Sequence, residues 1–200
     1  MKGIFILFLT VFFGSVVLAQ PKTAPNNLRA QLTKIYNEDQ QQRQEYAKLE
    51  QQYGWGSREA QAFRAKLKAM NDRHLQEVDQ IISRQGYPGR SAVGQPLDQV
   101  AFMVIQQSTD KAVHQKYLPV VTEAANKGEL DKASVAILTD LVRIQNGEKQ
   151  VYGTQVRVNN QGQKELYPIE DQAGIDQRRK QMDLEPLDAY LRRMGVKSYE

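Results

Sequence analysis

The chain has 200 residues, with 27 lysines and arginines against 23 aspartates and glutamates, two histidines and no cysteine. Without cysteine there is no disulfide, no thiolate metal site and no cysteine nucleophile. The net charge of +4 is too mild and too evenly spread to point to nucleic acid, although it suits weak attraction to anionic polymers.

Met1-Lys2 precedes an apolar run from Ile4 to Leu18. The run is about fifteen residues, short of the ~20 that a permanent bilayer span requires, so residues 1–19 are predicted to be a signal peptide cleaved after Ala19. Residues 20–27, rich in proline and asparagine, read as a flexible start. Removing Lys2 leaves 26 basic against 23 acidic residues, a net of +3. The expected product is periplasmic or secreted, with no stable membrane span after processing. The partners that suit it are an envelope polymer, a peptide or a small polar ligand, and not nucleic acid.

From Leu28 the apolar positions Leu28, Leu32, Ile35, Tyr46, Leu49 and Tyr53 predict an amphipathic helix whose middle is weakened by Asp39 and Gln42. Tyr53-Gly54-Trp55-Gly56 ends it, and Ser57 is a candidate cap for a second helix carrying Phe63, Leu67, Met70, His74, Val78 and Ile81 on one face. Together they predict an antiparallel helical hairpin, with Tyr46, Tyr53, Trp55 and Met70 assigned to core packing. Residues 85–94 form a glycine- and proline-rich connection without either period.

Pro96 then fits the first turn of a central helix through Val100, Ala101, Val104 and Ile105. Thr109 or Asp110 caps a further helix with Val113, Tyr117, Leu118 and Val121 inward, which Pro119 should kink or restart. Asp131 caps a helix with Val135, Leu138, Leu141, Val142 and Ile144 on its apolar face, ending at Asn146-Gly147. A hairpin at about 154–169 follows, turning at Asn159-Asn160-Gln161-Gly162, and then two short helices around Ile175 to Met182 and Pro186 to Met194. The fold class is mainly α: a single helical domain over 28–195, of about five to seven helices, with one small β-hairpin.

His74 lies on an apolar stripe and reads as a buried structural histidine, whereas His114 reads as a surface residue. Neither has metal-ligand spacing, so no metal and no cofactor are expected. No serine stands in a nucleophile elbow or a Ser-x-x-Lys pattern, and nothing matches a nucleotide-binding glycine loop. The remaining polar candidates are Gln106, Gln107, Asp140, Arg143, Tyr152, Thr154, Gln155, Asp171, Asp176, Arg178 and Arg179. Asp140 and Arg143 have the spacing of a helical ion pair. Two readings stay open: an ordinary surface pair with turn residues, or one concave wall that holds a polar ligand by hydrogen bonds.

Gly86-Tyr87-Pro88, Val93-Gly94, Gln106, Asp140, Gly147, Gln150, Tyr152-Gly153-Thr154-Gln155, Pro168-Ile169, Asp171, Arg178-Arg179 and Leu184-Glu185-Pro186-Leu187 form a recognisable series. It resembles an uncharacterised family of bacterial domains of unknown function, many of them exported. Members carry Gly-x-x-Gln-x-Tyr-Gly-Thr-Gln, Pro-Ile-x-Asp and Leu-x-Pro-Leu, together with Gln-His and Asp-Arg pairs. This chain has Gln107 in place of that histidine and Leu141 in place of that arginine, and His74 stands where members often have asparagine. Glutamine does not titrate, so the one proton shuttle in the pattern is missing. The resemblance therefore implies a site without a reaction. The favoured reading is a noncatalytic binding or interaction module of the periplasm or envelope; the alternative is an envelope hydrolase acting on glycan or peptide through Asp140 with Asp171 or Asp176.

Overall fold

The computed structural model describes residues 25–196 apart from 55, 160 and 162. The predicted signal peptide, residues 20–24 of the flexible start, Trp55, Asn160 and Gly162 lie outside the described residues. Among those described are eight α-helices, one 3-10 turn and a two-stranded antiparallel hairpin, and the fold is mainly α.

Helix α1 (Pro25–Tyr53) and helix α2 (Arg58–Gln85) form the long hairpin that the apolar stripes predict. The Ser57 hydroxyl accepts the Ala60 N–H at 3.1 Å and Gly54 turns the chain with φ +83. Leu28, Leu32 and Ile35 meet Val78 and Ile81 in the main core. Towards the turn the packing loosens, leaving Phe63 and Leu67 half-buried and Tyr53 exposed rather than in the core. The two helices run past the rest of the bundle there, so a side chain near the tip has little to pack against.

The glycine-rich connection is more regular than its sequence suggests. Residues Arg90–Val93 make a single helical turn, α3, followed by a 3-10 turn at Leu97–Gln99 and helix α4 (Val100–Gln106). Polar bonds supply what periodicity lacks: Arg90 donates to Asp98 at 2.8 Å and, across 41 residues, to Asp131 at 2.5 Å, and the Ser91 N–H reaches Glu129 at 2.8 Å. Helix α4 packs on α1, α2 and α5 (Lys111–Asn126), and five of its seven residues are buried, as expected of the central helix.

Asp110 caps α5 by accepting the Ala112 N–H at 2.9 Å. Pro119 does not restart the helix. Its ring is exposed, so the hydrogen bond it removes lies on the solvent side, while Tyr117, Val121 and Ala124 keep the inner face in register. His114 is buried rather than exposed, and its Nδ1 lies 3.0 Å from Gln145 Oε1. It stands three and seven residues before Tyr117 and Val121, on the stripe that packs against α6 (Lys132–Gln145). Asp131 precedes α6 without a side-chain capping bond, because its carboxylate is held by Arg90 and Gln99.

Asp79 of α2 ties the hairpin to α5, accepting from both Lys116 and Tyr117. The Lys116 bond, then the Tyr117 bond, holds its carboxyl below the usual range. A carboxylate whose folded pKa is depressed stabilises the fold above its unfolded pKa and loses that contribution as pH falls through the folded value. Asp79→Asn should therefore lower the melting temperature at neutral pH but lose less on acidification below about pH 4. Thermal melts across pH check this; parallel acid limbs for the two proteins would contradict it.

After α6, Gly147 takes φ +79 and the chain enters a second, smaller core. Strands β1 (Val156–Val158) and β2 (Lys164–Leu166) pair with Val156 opposite Leu166, and helices α7 (Ile175–Gln181) and α8 (Leu187–Met194) close over them. Leu166, Ile169, Ile175, Leu191 and Val196 form this core, separate from the main cluster. A hairpin of two three-residue strands is too small to stand alone in water. What joins it to the bundle is polar.

Candidate functional site

The Gln150-Val151-Tyr152-Gly153-Thr154-Gln155 segment runs between the two cores, and side chains from three helices bond the backbone of its central residues, Val151 to Thr154. From α6, the fully buried Asp140 carboxylate accepts the N–H groups of Val151 at 2.8 Å and Tyr152 at 3.0 Å on one oxygen. Its other oxygen accepts the N–H and the hydroxyl of Thr154, both at 2.9 Å. A buried carboxylate needs several donors to offset its lost hydration, and here the loop's own amides provide them. The expected Asp140–Arg143 pair does not form. Asp140 points inward at the loop, whereas Arg143 donates to the Lys149 carbonyl at 2.7 Å and to Glu170 at 2.7 Å.

The carbonyls of the same segment face donors from the C-terminal helices. Arg178 Nε donates to Val151 O at 2.9 Å, and Arg179 Nη1 to Tyr152 O at 2.6 Å and Gly153 O at 3.3 Å. The Tyr190 hydroxyl donates to Thr154 O at 2.6 Å. Gln150, also fully buried, closes the ring: its Oε1 accepts the Gln155 N–H at 2.7 Å, and its Nε2 donates to the Gln155 and Tyr167 carbonyls at 3.1 and 2.8 Å. Its backbone bridges to Pro168 and Glu170. Five consecutive carbonyls, from Val151 to Gln155, thus receive side-chain donors. The motif is a joint.

Local geometry explains the residue types. Gly153 has φ +65, and a Cβ there would come within 3.1 Å of Ile169 and Leu187 side-chain atoms, so glycine alone lets the loop lie against the second core. Arg179 is 1% exposed, its Nε donates to Glu185 O at 2.7 Å, and its guanidinium stacks 5.0 Å from the Tyr190 ring. Burial lowers its pKa, while Tyr190, Asp176, Glu185 and Asp140 act the other way. Burial likewise raises the Tyr190 hydroxyl pKa. Asp140 and Arg179 are therefore opposite buried charges on the two sides of one loop, linked through its peptide dipoles.

Of the sequence candidates, Asp140, Thr154, Gln155, Arg178 and Arg179 come together in this joint, with Arg143 and Asp171 at its edge. Gln155 donates to the Ile137 carbonyl at 3.3 Å and to Thr154 Oγ1 at 3.1 Å. Asp171 is exposed and held by Arg178 at 3.0 Å; Asp176 accepts the Leu187 N–H at 2.8 Å and starts α8. Gln106 and Gln107 end α4, and their side chains, like the Tyr152 hydroxyl, have no hydrogen-bond partner among the described residues. Gln150 and Tyr190, both integral to the joint, were not among the candidates. Gln150 stands in the motif itself, but nothing local marks Tyr190, which reaches Thr154 across 36 residues.

No group of three or more histidine, aspartate or glutamate residues suited to a metal ion occurs among the described residues. No described helix is long and apolar enough to cross a membrane. Over residues 26–199 the chain matches the family of unknown function DUF6624, and it belongs to that family. Searches of curated proteins and of solved structures each found no match.

Proposed function

We propose that this member of the family is a noncatalytic binding or interaction module that acts after export, in the periplasm or envelope of a bacterium. The supporting observation is the state of Asp140. An acid, base or nucleophile must reach a substrate atom, but both oxygens of this carboxylate face donors of the loop and none of its surface is exposed. Paired-carboxylate hydrolysis also requires an open space between the two groups. With Asp140 committed to the joint, the hydrolase alternative keeps Asp171 and Asp176, which hold Arg178 and the start of α8. The Gln107 and Leu141 positions remove the titrating and cationic groups that the family pattern carries.

In this reading the joint is the rigid support, and Gln106, Gln107 and Tyr152 are the polar groups left for a ligand such as an envelope polymer, a peptide or a small polar molecule. Incubation with purified envelope glycan and with peptide fragments tests the noncatalytic claim directly. The expected outcome is no new reducing ends and no new amino groups, with a rise in melting temperature for the fraction that binds. Release of fragments by the wild-type protein, lost in Asp171→Asn or Asp176→Asn, would establish the hydrolase instead.

A further inference from the structure

Helices α1 and α2 leave the body of the protein as an arm. Among the described residues the main core takes none between 37 and 74, so about 17 residues of each helix, roughly 25 Å at 1.5 Å per residue, extend beyond it. The seam of this arm changes character along its length. Near the tip it is apolar, with Tyr46, Leu49, Phe63 and Leu67 half-buried and the Tyr46 and Phe63 rings 5.9 Å apart. At the base the inward positions are Asp39, Gln42, Asn71 and His74, and two of their carbonyl oxygens, Gln42 Oε1 and Asn71 Oδ1, are buried without a donor. An unpaired buried acceptor is destabilising, so this stretch holds the helices together less well than an apolar seam would.

What fastens the base is ionic. Glu38 accepts from Arg73 at 2.5 Å and lies 3.0 Å from His74 Nε2, joining α1 to α2, while Lys34 stands 3.8 Å away on its own helix. The other carboxylates at this level are engaged within one helix, Asp39 with Arg43 at 2.9 Å and Asp72 with Lys68 at 2.7 Å. Glu45 approaches Lys66 across the pair only to 3.8 Å, and both side chains are exposed. The His74 bond is the main cause holding the Glu38 carboxyl below its usual range; burial opposes it, and the charges of Arg73, His74 and Lys34 add to it. His74 is buried, whereas Glu38 keeps a third of its side chain in solvent, where protons reach it.

We infer that Glu38 is an acid-operated latch of the arm: when its carboxylate is protonated, α1 and α2 part at the base while the body of the protein stays folded. A carboxylate with a depressed folded pKa fastens the fold above its unfolded value and releases it as pH falls through the folded one. The latch is therefore closed at neutral pH and opens below about pH 4. Without the anion, Arg73 Nη2 is left 3.4 Å from His74 Nε2, and the unpaired carbonyls of Gln42 and Asn71 gain by meeting water. Opening uncovers the apolar stretch of Tyr46, Leu49, Phe63 and Leu67. Asp79 loses its charge over the same range, but it ties α2 to α5 on the body side of Val78, so a change at Glu38 separates the two.

Hydrogen exchange of the full mature protein between pH 3 and pH 7, corrected for the intrinsic rate, tests the latch. Amides of residues 40–53 and 58–72 should lose about tenfold or more in protection below about pH 4, while those of α4 and α6 keep theirs. Glu38→Gln should show the unprotected arm already at pH 7, and Glu45→Gln should follow the wild-type protein. The wild-type series decides by itself where Glu38→Gln does not fold. An arm as protected at pH 3 as at pH 7, an arm and α4 that lose protection together, or a Glu38→Gln arm that is protected at pH 7 and still opens in acid would overturn the inference.

Discussion

Asp140→Ala is expected to destabilise the protein by about 4 kcal/mol, because three loop N–H groups lose their acceptor together and each orphaned buried donor costs about 1–3 kcal/mol. That is a large part of the 5–15 kcal/mol that usually holds a domain together. The damage should be local first. The second core meets the bundle largely through this loop, so the hairpin, α7 and α8 should come loose while α1 to α6 stay folded. Limited proteolysis should then cut after α6 and leave a resistant fragment ending near Gly147. Asp140→Asn should cost about half as much: its oxygen can still accept from Val151 and Tyr152, and the Thr154 hydroxyl can rotate to accept its amide, but the Thr154 N–H is left unpaired. Urea unfolding of the two variants measures the difference, and near-wild-type stability in Asp140→Ala would show that the loop does not depend on the carboxylate.

Arg179 supports the same loop from the other side, and Arg179→Ala is expected to cost about 3 kcal/mol, since the carbonyls of Tyr152, Gly153 and Glu185 all lose a charged donor in a buried place. Arg179→Lys should recover less than half of that loss. A lysine ammonium is a point donor, and it cannot reproduce a planar fork that reaches two strands of backbone while stacking on Tyr190. The Arg179 and Asp140 substitutions should also be strongly non-additive, because each removes one support of the same six-residue segment. A double variant no worse than Asp140→Ala alone would show that both act through the loop; strict additivity would separate them.

Much of the helical frame is legible in the sequence because it depends on local period. Leu28, Leu32 and Ile35, or Val78 and Ile81, fall at helical spacing, and burial follows from that spacing alone. Ser57 as a cap, Gly147 as a stop and the ends of α7 and α8 are local signals too. The errors arise where a residue answers to a distant partner. Asp140 and Arg143 look like an ion pair at three residues' separation, yet the Asp140 partners lie 11 to 14 residues on and include no cation. The turn at Arg90–Val93 is held by Asp98 and also by Glu129 and Asp131, which no window over the turn contains. His114 is buried because α6 lies along all of α5, a packing choice that its polar neighbours disguise.

The Tyr-Gly-Thr-Gln segment is the intermediate case. Its residue types mark it as a place where the backbone needs unusual support, and that much follows from the glycine and the change of period. Whether the amides and guanidinium groups face a ligand or the chain's own backbone depends on three helices converging, and the structure gives the second answer for Asp140, Gln150, Arg178 and Arg179. Hydrogen exchange at the Val151, Tyr152 and Thr154 amides tests this account most directly. Amides held by a buried carboxylate should exchange as slowly as those of α6 and lose that protection in Asp140→Ala. Exchange at the rate of an open loop in the wild-type protein would contradict the joint and return the segment to the solvent.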